Sequence, residues 1–300
     1  MKNNDSTTNS YKSDFYQLPA VENCGYKLFC FGGGENHICL TTEPKQQVRV
    51  LFHYQGDESL IQLLLLTDAL KRAGATCIEL LVPYFPGARQ DRVCNPGEAL
   101  SVKVYASLIN SQNYSSVSVF DPHSDVTAAL LNQVKVVKNH AFIQQVLTNQ
   151  LQNNPLLNNQ SGDITLVSPD AGANKKIFEL SATLGGLPII RADKVRDVTN
   201  GKIIATEVYA DDLSGKTCVI VDDICAGGRT FIELAKKLKA KGAERIVLIV
   251  SHYEGKADET LLQQSGIDQL YCTDSLLPKG SSFVTVSPVA SYLLSQGELK

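Results

Sequence analysis

Short apolar runs alternate along most of the chain with longer segments of helical periodicity. This alternation is typical of parallel sheets that are covered by helices. The runs predicted to form strands are VRVLFH (48–53), CIELLVPYF (77–85), VSVFD (117–121), ITLVS (164–168), PII (188–190), CVIVDD (218–223) and RIVLIVS (245–251). Helical patterns lie at 58–74, 100–108, 174–185 and 230–242.

The strand–helix pattern occurs twice, which indicates two similar domains. The stretch at 139–163 is rich in Asn and Gln and separates the two occurrences; a helix is predicted to start in it and a loop to end it. Residues 1–20 are polar and are predicted to form a mobile arm. The predicted domains are therefore 21–140 and 141–300, and a length of 300 residues suits two domains.

Composition excludes several classes of protein. The net charge of -3 gives no electrostatic reason to expect binding to nucleic acid or to an anionic membrane surface. The sequence contains no apolar run of about 18 residues, and its beginning lacks the apolar core of a secretory signal. The 8 cysteines form no C-x-x-C pair, so we expect reduced thiols in a cytoplasmic protein.

The segment VDDICAGGRT (221–230) follows a predicted buried strand and precedes a predicted helix. Gly227 and Gly228 allow backbone N–H groups to approach a phosphate, and the helix presents its positive end to the same place. The carboxylates of Asp222 and Asp223 suit sugar hydroxyls or hydrated Mg²⁺. The pattern therefore favours a ribose phosphate, although an ordinary strand–turn–helix connection has the same features.

Three other loops follow predicted strands and carry polar side chains. His123 lies in FDPHSD, Asp170 lies in SPDAGANKK, and PYFPGARQDR contains Arg89, Gln90 and Arg92. Arginines and an amide can bind phosphates and a base. Taken singly, these loops also fit a hydrogen-bonded histidine, a helix N-cap and an exposed basic turn. In open α/β sheets, however, ligands bind at the carboxyl ends of strands, where all three loops lie.

In their order along the chain, these segments resemble the motifs of the ribose-phosphate pyrophosphokinase family. FGGGE (31–35) resembles the F-x-D-G-E flag loop, and PYFPGARQDR resembles the highly specific P-Y-x-x-Y-A-R-Q-D-R segment. VFDPHSD, LVSPDAGA and DKVR (193–196) resemble V-D-L-H, V-S-P-D-x-G-G and a K-x-R pair on a mobile loop. VDDICAGGRT aligns without a gap to V-D-D-x-x-D-T-G-G-T. The similarity extends over about residues 25–290.

The resemblance implies an α/β fold of two type I phosphoribosyltransferase-like domains, each a mainly parallel sheet flanked by helices. It also implies a Mg²⁺-dependent transfer of diphosphate from ATP to the 1-hydroxyl of ribose 5-phosphate, which gives phosphoribosyl pyrophosphate and AMP. By position, His123 and Asp170 would face Mg²⁺ and its phosphates, with His123 also catalytic. Lys194 and Arg196 would close over the reacting phosphate.

The remaining site residues carried over from the family bind the two substrates. The ATP-binding residues would be Phe31, Glu35, Arg89, Gln90 and Arg92, with the first two reaching the adenine of a neighbouring subunit. The ribose-phosphate residues would be Asp222, Asp223, Ala226, Gly227, Gly228, Arg229 and Thr230. A shared adenine pocket implies a homo-oligomer built from dimers, as in the family's hexamers. The product of such an enzyme would serve nucleotide or NAD synthesis.

The chain departs from the family pattern in the ribose-phosphate loop. Ala226 replaces an acid and Arg229 replaces a glycine, which shifts the local charge by about +2. This favours a more anionic or bulkier 5-substituent, for instance that of ADP-ribose, whose 5-end is a diphosphate ester. Gly33 replaces the acid of the flag loop.

Two other classes of function share these motifs. A phosphoribosyltransferase would use the same loop to consume phosphoribosyl pyrophosphate, but it would have no use for the segments at 31–35 and 83–92 that serve an ATP site. A non-catalytic relative would regulate a true synthetase by assembling with it. Ala226 is compatible with that role, whereas the retained Lys194 and Arg196 favour catalysis.

Overall fold

Two separate sheets, one in each half of the chain, account for the repeated strand–helix pattern. The computed structural model describes residues 14–19, 25–152, 164–196 and 203–295. The chain divides into two units, Met1–Val136 and Val137–Lys300. None of the helices within the described ranges is long and apolar enough to cross a membrane.

The first unit is built on a five-stranded sheet with the order β1-β4-β5-β6-β7 and a separate hairpin of β2 and β3. Its strands are β1 (Asp14–Leu18), β2 (Tyr26–Cys30), β3 (Asn36–Leu40), β4 (Gln47–Phe52), β5 (Cys77–Val82), β6 (Ser116–Phe120) and β7 (Val134–Val137). Its helices are α1 (Asp57–Arg72), α2 (Ser101–Asn110) and α3 (Asp125–Leu130). β1, β4, β5 and β6 pair in parallel, as the strand–helix alternation predicts.

The prediction of a mobile arm over residues 1–20 is wrong for its last part. β1 pairs in parallel with β4, with Tyr16 opposite Val50 and Leu18 opposite Phe52. Tyr16 and Leu18 are buried, whereas Phe15, on the opposite face of the strand, is exposed. Two alternating apolar residues are enough to form an edge strand when a partner strand is present. In a polar segment, however, a pattern this short does not predict a strand from the sequence.

The second unit contains a seven-stranded sheet with the order β10-β9-β8-β11-β12-β13-β14. Its strands are β8 (Ile164–Ser168), β9 (Ile189–Arg196), β10 (Ile203–Val208), β11 (Thr217–Cys225), β12 (Arg245–Tyr253), β13 (Gln269–Thr273) and β14 (Val284–Ser287). Its helices are α4 (His140–Val146), continued by a π-helical turn at Leu147–Gln152, α5 (Asn174–Thr183), α6 (Arg229–Ala240), α7 (Glu259–Gln264) and α8 (Ala290–Ser295). The loop predicted to end the stretch at 139–163 falls on residues 153–163, outside the described residues.

The central strands of the second sheet run parallel, which places the loops that follow them at one edge. β11 pairs in parallel with β8 on one side and with β12 on the other, and every residue of β12 after Arg245 is buried. Near-continuous apolar strands of this kind belong to sheets with both faces covered. α6 covers β11 and β12 with the apolar stripe of Phe231, Leu234, Ala235 and Leu238. The loops that follow β8, β11 and β12 therefore lie at the same edge of the sheet.

Candidate active site

Two adjacent aspartates lie near the carboxyl end of β11. Asp223 is buried, with 9% of its surface exposed, and Asp222 is partly buried. The backbone N–H of Asp223 donates to Asp222 Oδ1 at 2.9 Å. The Asp223 carboxyl group also lies close enough to that of Asp222 to affect its pKa.

The pKa of Asp222 is raised well above its usual range. Burial is the largest cause, because it removes water from the charged form, and the negative charge of Asp223 is the second. Asp170, at the end of β8, adds a smaller contribution of the same sign. The edge of the sheet thus gathers three carboxyl groups that repel one another, and a cation bound among them would relieve this repulsion.

The loop after β11 is shaped to hold an anion. Gly228 has φ of 75° and ψ of -8°, in the left-handed region, and a Cβ there would lie 3.1 Å from the Ala257 Cβ. Gly227 has open space around it. In the part of the chain that the structure describes, the backbone N–H groups of residues 226–230 have no hydrogen-bond partner. These groups and the N-terminus of α6 form a cradle of the kind that can bind a phosphate.

Asp170 lies in a tight turn between β8 and α5. Its Oδ1 accepts a hydrogen bond of 3.2 Å from the backbone N–H of Ala173, and its carbonyl oxygen accepts one of 3.1 Å from Ser168 Oγ. The side chain therefore supports the start of α5, as a helix N-cap would. It also lies close enough to Asp222 to raise the pKa of that carboxyl group. Asp170 can therefore support the start of α5 and still belong to the group of carboxylates at the end of β11.

Lys194 and Arg196 lie in a strand, which corrects the expectation of a loop. Both belong to β9, whose backbone pairs with the antiparallel β10; Lys194 lies opposite Thr206 and Arg196 opposite Ile203. β9 therefore runs well beyond the predicted strand at 188–190. The apolar run at 188–190 covers only the start of β9, and the rest of the strand pairs with the edge strand β10.

The loop at 83–92 of the first unit is anchored by buried apolar side chains and exposes its polar ones. Phe85 and Ala88 are buried in the core, whereas Arg89, Gln90 and Arg92 are exposed. The local backbone turns, so that the N–H of Gln90 donates to the carbonyl oxygen of Gly87. The apolar anchors hold the loop, and the polar side chains face solvent, as a ligand-binding loop requires.

Asp91 is a further candidate site residue, which the sequence motifs did not indicate. Its carboxylate bonds to the Arg92 guanidinium, with Nε to Oδ1 at 2.9 Å, and only 10% of its side chain is exposed. The Arg92 hydrogen bond holds the pKa of Asp91 below its usual range, with smaller contributions from Ser124 and His123. Asp91 thus links the arginine loop to the histidine loop. In the sequence, Asp91 lies among the candidate ATP-binding residues Arg89, Gln90 and Arg92, and this position could have indicated its role.

His123 is exposed beyond the end of β6, in the same unit. The strand ends at a sharp turn, where buried Asp121 has φ of 37°, in the left-handed region. Non-glycine residues rarely adopt this conformation, and such positions concentrate at functional sites. The turn ends the strand and directs the following residues, including His123, to the surface.

The segment at 31–35 forms the tip of the β2–β3 hairpin. The backbone N–H of Phe31 donates to the carbonyl oxygen of Glu35 at 2.8 Å, which closes the tip. Phe31 is 55% exposed and packs edge-on against Phe29, with ring centroids 5.2 Å apart. His37 lies near both rings. The tip therefore presents an aromatic surface beside the exposed Glu35.

The donor set fits Mg²⁺ as a metal shared with substrate. Within the described ranges, no group of three or more His, Cys, Asp and Glu side chains is placed to hold a metal by itself. Mg²⁺ commonly binds through one or two carboxylates, several waters and substrate phosphates. Asp170 with Asp222 and Asp223 supplies such carboxylates beside the phosphate cradle.

The comparisons with known proteins first define the class of the domains. Residues 132–270 match the family described as "Phosphoribosyl transferase domain". Residues 43–112 match "N-terminal domain of ribose phosphate pyrophosphokinase". A solved structure of phosphoribosylpyrophosphate synthetase from Mycobacterium smegmatis superposes with a TM-score of 0.76, over 90% of this chain and 88% of that one, at 22% identity. The predicted α/β fold of two phosphoribosyltransferase-type domains is confirmed.

The curated relatives then define the family. The ribose-phosphate pyrophosphokinase of Thermosipho africanus is 30% identical over 240 residues, which cover 78% of this chain and 72% of that protein. The ribose-phosphate pyrophosphokinase of Marinomonas sp. is 32% identical over 224 residues, covering 74% and 68%. The chain belongs to the ribose-phosphate pyrophosphokinase family. The predicted relationship, and the prediction of an enzyme of the diphosphotransferase class, are confirmed at this level.

Proposed function

We propose that the chain transfers the β,γ-diphosphate of ATP to the 1-hydroxyl of ribose 5-phosphate in a Mg²⁺-dependent reaction. The observation that carries the proposal is the end of β11, where the carboxyl groups of Asp222 and Asp223 directly precede a cradle of N–H groups that have no partner among the described residues. Family membership supplies the reaction class, and this arrangement supplies the acceptor site.

The arrangement suits the two ends of a ribose phosphate. The N–H groups at 226–230 would bind the 5-phosphate, and Asp222 and Asp223 would accept hydrogen bonds from the sugar hydroxyls. Holding both ends orients the 1-hydroxyl, and orientation is the main source of catalysis in phosphoryl transfer.

The reaction balances as a substitution at phosphorus. The oxygen of the 1-hydroxyl forms a bond to the β-phosphorus of ATP, and the bond between that phosphorus and the α,β-bridging oxygen breaks. AMP leaves with the bridging oxygen, and the hydroxyl proton is released to solvent. The products are AMP and phosphoribosyl pyrophosphate.

In the second unit, Asp170 would hold the metal, with the carboxyl groups of β11 ordering its water. His123, in the first unit, stays a metal ligand predicted from the family resemblance. Bound Mg²⁺ would neutralise charge on the transferring group and polarise its oxygens. Lys194 and Arg196 would stabilise the same charge from the β9–β10 hairpin. Asp222, Asp223 and Asp170 lie close enough for their charges to interact, so a bound cation would reduce the repulsion among them.

The ATP site is assigned to the first unit. Arg89, Gln90 and Arg92 would bind the phosphates and the base, with Asp91 fixing the guanidinium of Arg92. Phe31 and Glu35 at the exposed hairpin tip would contact the adenine of a neighbouring subunit. A dimer-based homo-oligomer is therefore part of the proposal, and light scattering of the purified chain measures it.

The test is AMP release from ATP, Mg²⁺ and ribose 5-phosphate, with mass spectrometry of the sugar product. We expect AMP and a product larger by one diphosphate, and we expect EDTA to abolish turnover and excess Mg²⁺ to restore it. Asp223→Asn should reduce kcat/KM by about 10²-fold or more because a hydroxyl-orienting carboxylate is lost. Asp68→Asn, on the exposed face of α1, is the matched control.

Other outcomes would identify the rival classes. Turnover of phosphoribosyl pyrophosphate with a nucleobase, independent of ATP, would indicate a phosphoribosyltransferase. No AMP with any ribose acceptor, together with stimulation of an active synthetase on mixing, would indicate a regulatory relative.

A further inference from the structure

Two cationic side chains, Arg229 and Lys256, belong to the loops that form and contact the cradle. We infer that the acceptor is a ribose whose 5-carbon bears a diphosphate ester, and that Arg229 and Lys256 recognise its additional phosphate. This inference rests on the proposed diphosphate transfer and specifies its acceptor.

Arg229 is the first residue of α6 and is exposed beside the cradle. Glu233 lies one helical turn further on, where it could pair with Arg229, but its carboxylate pairs with Lys236 instead, at 3.1 Å. Within the described ranges, the Arg229 guanidinium has neither an ion pair nor a hydrogen bond. A planar guanidinium with this freedom is suited to bidentate binding of a phosphate.

A second cation lies in the loop that packs on the cradle. A Cβ at Gly228 would approach Ala257 within 3.1 Å, so the loop after β12 lies directly against the left-handed turn. Lys256 precedes Ala257, has 78% of its side chain exposed and is 3.7 Å from Glu254. This distance is at the limit of an ion pair, and solvent screens it strongly. Its ammonium group is therefore available to an anion at the same edge.

Two acidic residues of the loop after β12, Glu254 and Asp258, lie near the cradle, and each already has a partner. The Asp258 carboxylate caps α7 by accepting hydrogen bonds from the N–H groups of Thr260 at 2.9 Å and Leu261 at 3.2 Å. Ala226 contributes no charge to the loop itself. A second phosphate next to the cradle would therefore meet the Arg229 guanidinium, and it would compete with Glu254 for the Lys256 ammonium group.

The loop also has space for a larger substituent. Gly227 is exposed, and a Cβ added to it would find no atom within 4 Å. An ester extending from the second phosphate can leave the site on this side. The chemical step is unchanged: the 1-hydroxyl oxygen bonds to the β-phosphorus of ATP, AMP leaves, the hydroxyl proton passes to solvent, and the 5-diphosphate ester stays intact.

The experiment compares ADP-ribose, as the probe, with ribose 5-phosphate at equal concentrations. AMP release and product mass are measured with ATP and Mg²⁺, and acceptor binding is measured by calorimetry with Mg²⁺ and a non-hydrolysable ATP analogue. We expect kcat/KM for ADP-ribose to exceed that for ribose 5-phosphate by about tenfold or more, the factor typical of one charge-assisted contact. The expected product is ADP-ribose enlarged by one diphosphate.

The variants separate charge recognition from folding. Arg229→Gly should lower kcat/KM for ADP-ribose by about tenfold and that for ribose 5-phosphate by less than about twofold, and Lys256→Ala should act in the same direction. Arg229→Lys should recover part of the loss because it restores the charge without the planar fork. Lys237→Ala removes an exposed charge from the far end of α6 and should change neither value.

The results distinguish failure of the inference from failure of the proposed function. Turnover of ribose 5-phosphate alone, or equal losses for both acceptors in Arg229→Gly, would overturn the inference and leave diphosphate transfer standing. No AMP with either acceptor, and no binding of either, would overturn the proposed function itself.

Discussion

The left-handed turn at Gly228 provides a sharp test of how the cradle is built, because its neighbour Gly227 is a matched control. An alanine at 228 would have to adopt φ of 75°, which costs about 1–2 kcal/mol for a residue with a side chain. Its Cβ would also lie 3.1 Å from the Ala257 Cβ and 3.2 Å from Leu262 Cδ2. Overpacking of this kind costs about 1–3 kcal/mol. Reduced entropy of the unfolded chain returns about 0.4–1 kcal/mol. We expect Gly228→Ala to destabilise the second unit by about 2–4 kcal/mol.

The opposite sign is expected for Gly227→Ala. Its φ lies outside the left-handed region and its Cβ would meet no atom, so only the gain of about 0.4–1 kcal/mol from the unfolded chain remains. Thermal unfolding measures both: a loss of 2–4 kcal/mol corresponds to a fall in Tm of about 5–15 °C for a domain of this size. Equal Tm values for the two variants would refute the account of the turn. Gly228→Ala should also weaken binding of ribose 5-phosphate, since the N–H groups of the cradle would be displaced.

Two further predictions concern the first unit. Asp91→Asn should raise the KM for ATP severalfold by releasing Arg92, while stability changes by less than about 1 kcal/mol because the guanidinium is exposed. Since the pKa of Asp91 is lowered in the folded protein, the stabilisation that Asp91 contributes is present above the unfolded pKa of about 3.9 and is lost as the pH falls through the folded pKa. In urea titrations, the free energies of unfolding of wild type and variant should therefore converge below about pH 4. Tyr114→Phe should cost about 0.5–1.5 kcal/mol in the same titrations, because it removes the buried 2.6 Å hydrogen bond to Thr67, whose hydroxyl still donates to the Leu63 carbonyl at 2.8 Å. A loss above about 3 kcal/mol would contradict this, since it would mean that Thr67 is left without a partner.

The sequence alone predicted the α/β class, the central strands and the loops that carry the candidate chemistry. These features depend on local information: apolar runs of strand length, helical periodicity, and glycines where a strand passes into a helix. The strand at 164–168 coincides with β8, and the helix predicted at 230–242 is α6 with its ends shifted by one or two residues. The order of motifs along the chain was sufficient to predict the family.

Only the tertiary structure showed which of these residues are neighbours. Asp170 lies near Asp222 because β8 pairs with β11, although the two residues are far apart in sequence. Asp91 meets the histidine loop because β5 and β6 are adjacent. β1 could not be predicted either, because its pattern is short and its stability comes from a distant partner strand.

The sequence predicted some features and not others because some depend on local interactions and others on long-range interactions. Backbone preference and side-chain periodicity act over a few residues and can be recognised in the sequence. Burial, electrostatic coupling and strand pairing depend on residues that only the folded sheet brings together. The sequence thus determined the parts of this protein, including the glycine loop and its unusual Arg229. The fold decided that Lys256 would lie at the same edge as Arg229. It also decided that burial, together with the charges of Asp223 and Asp170, would raise the pKa of Asp222.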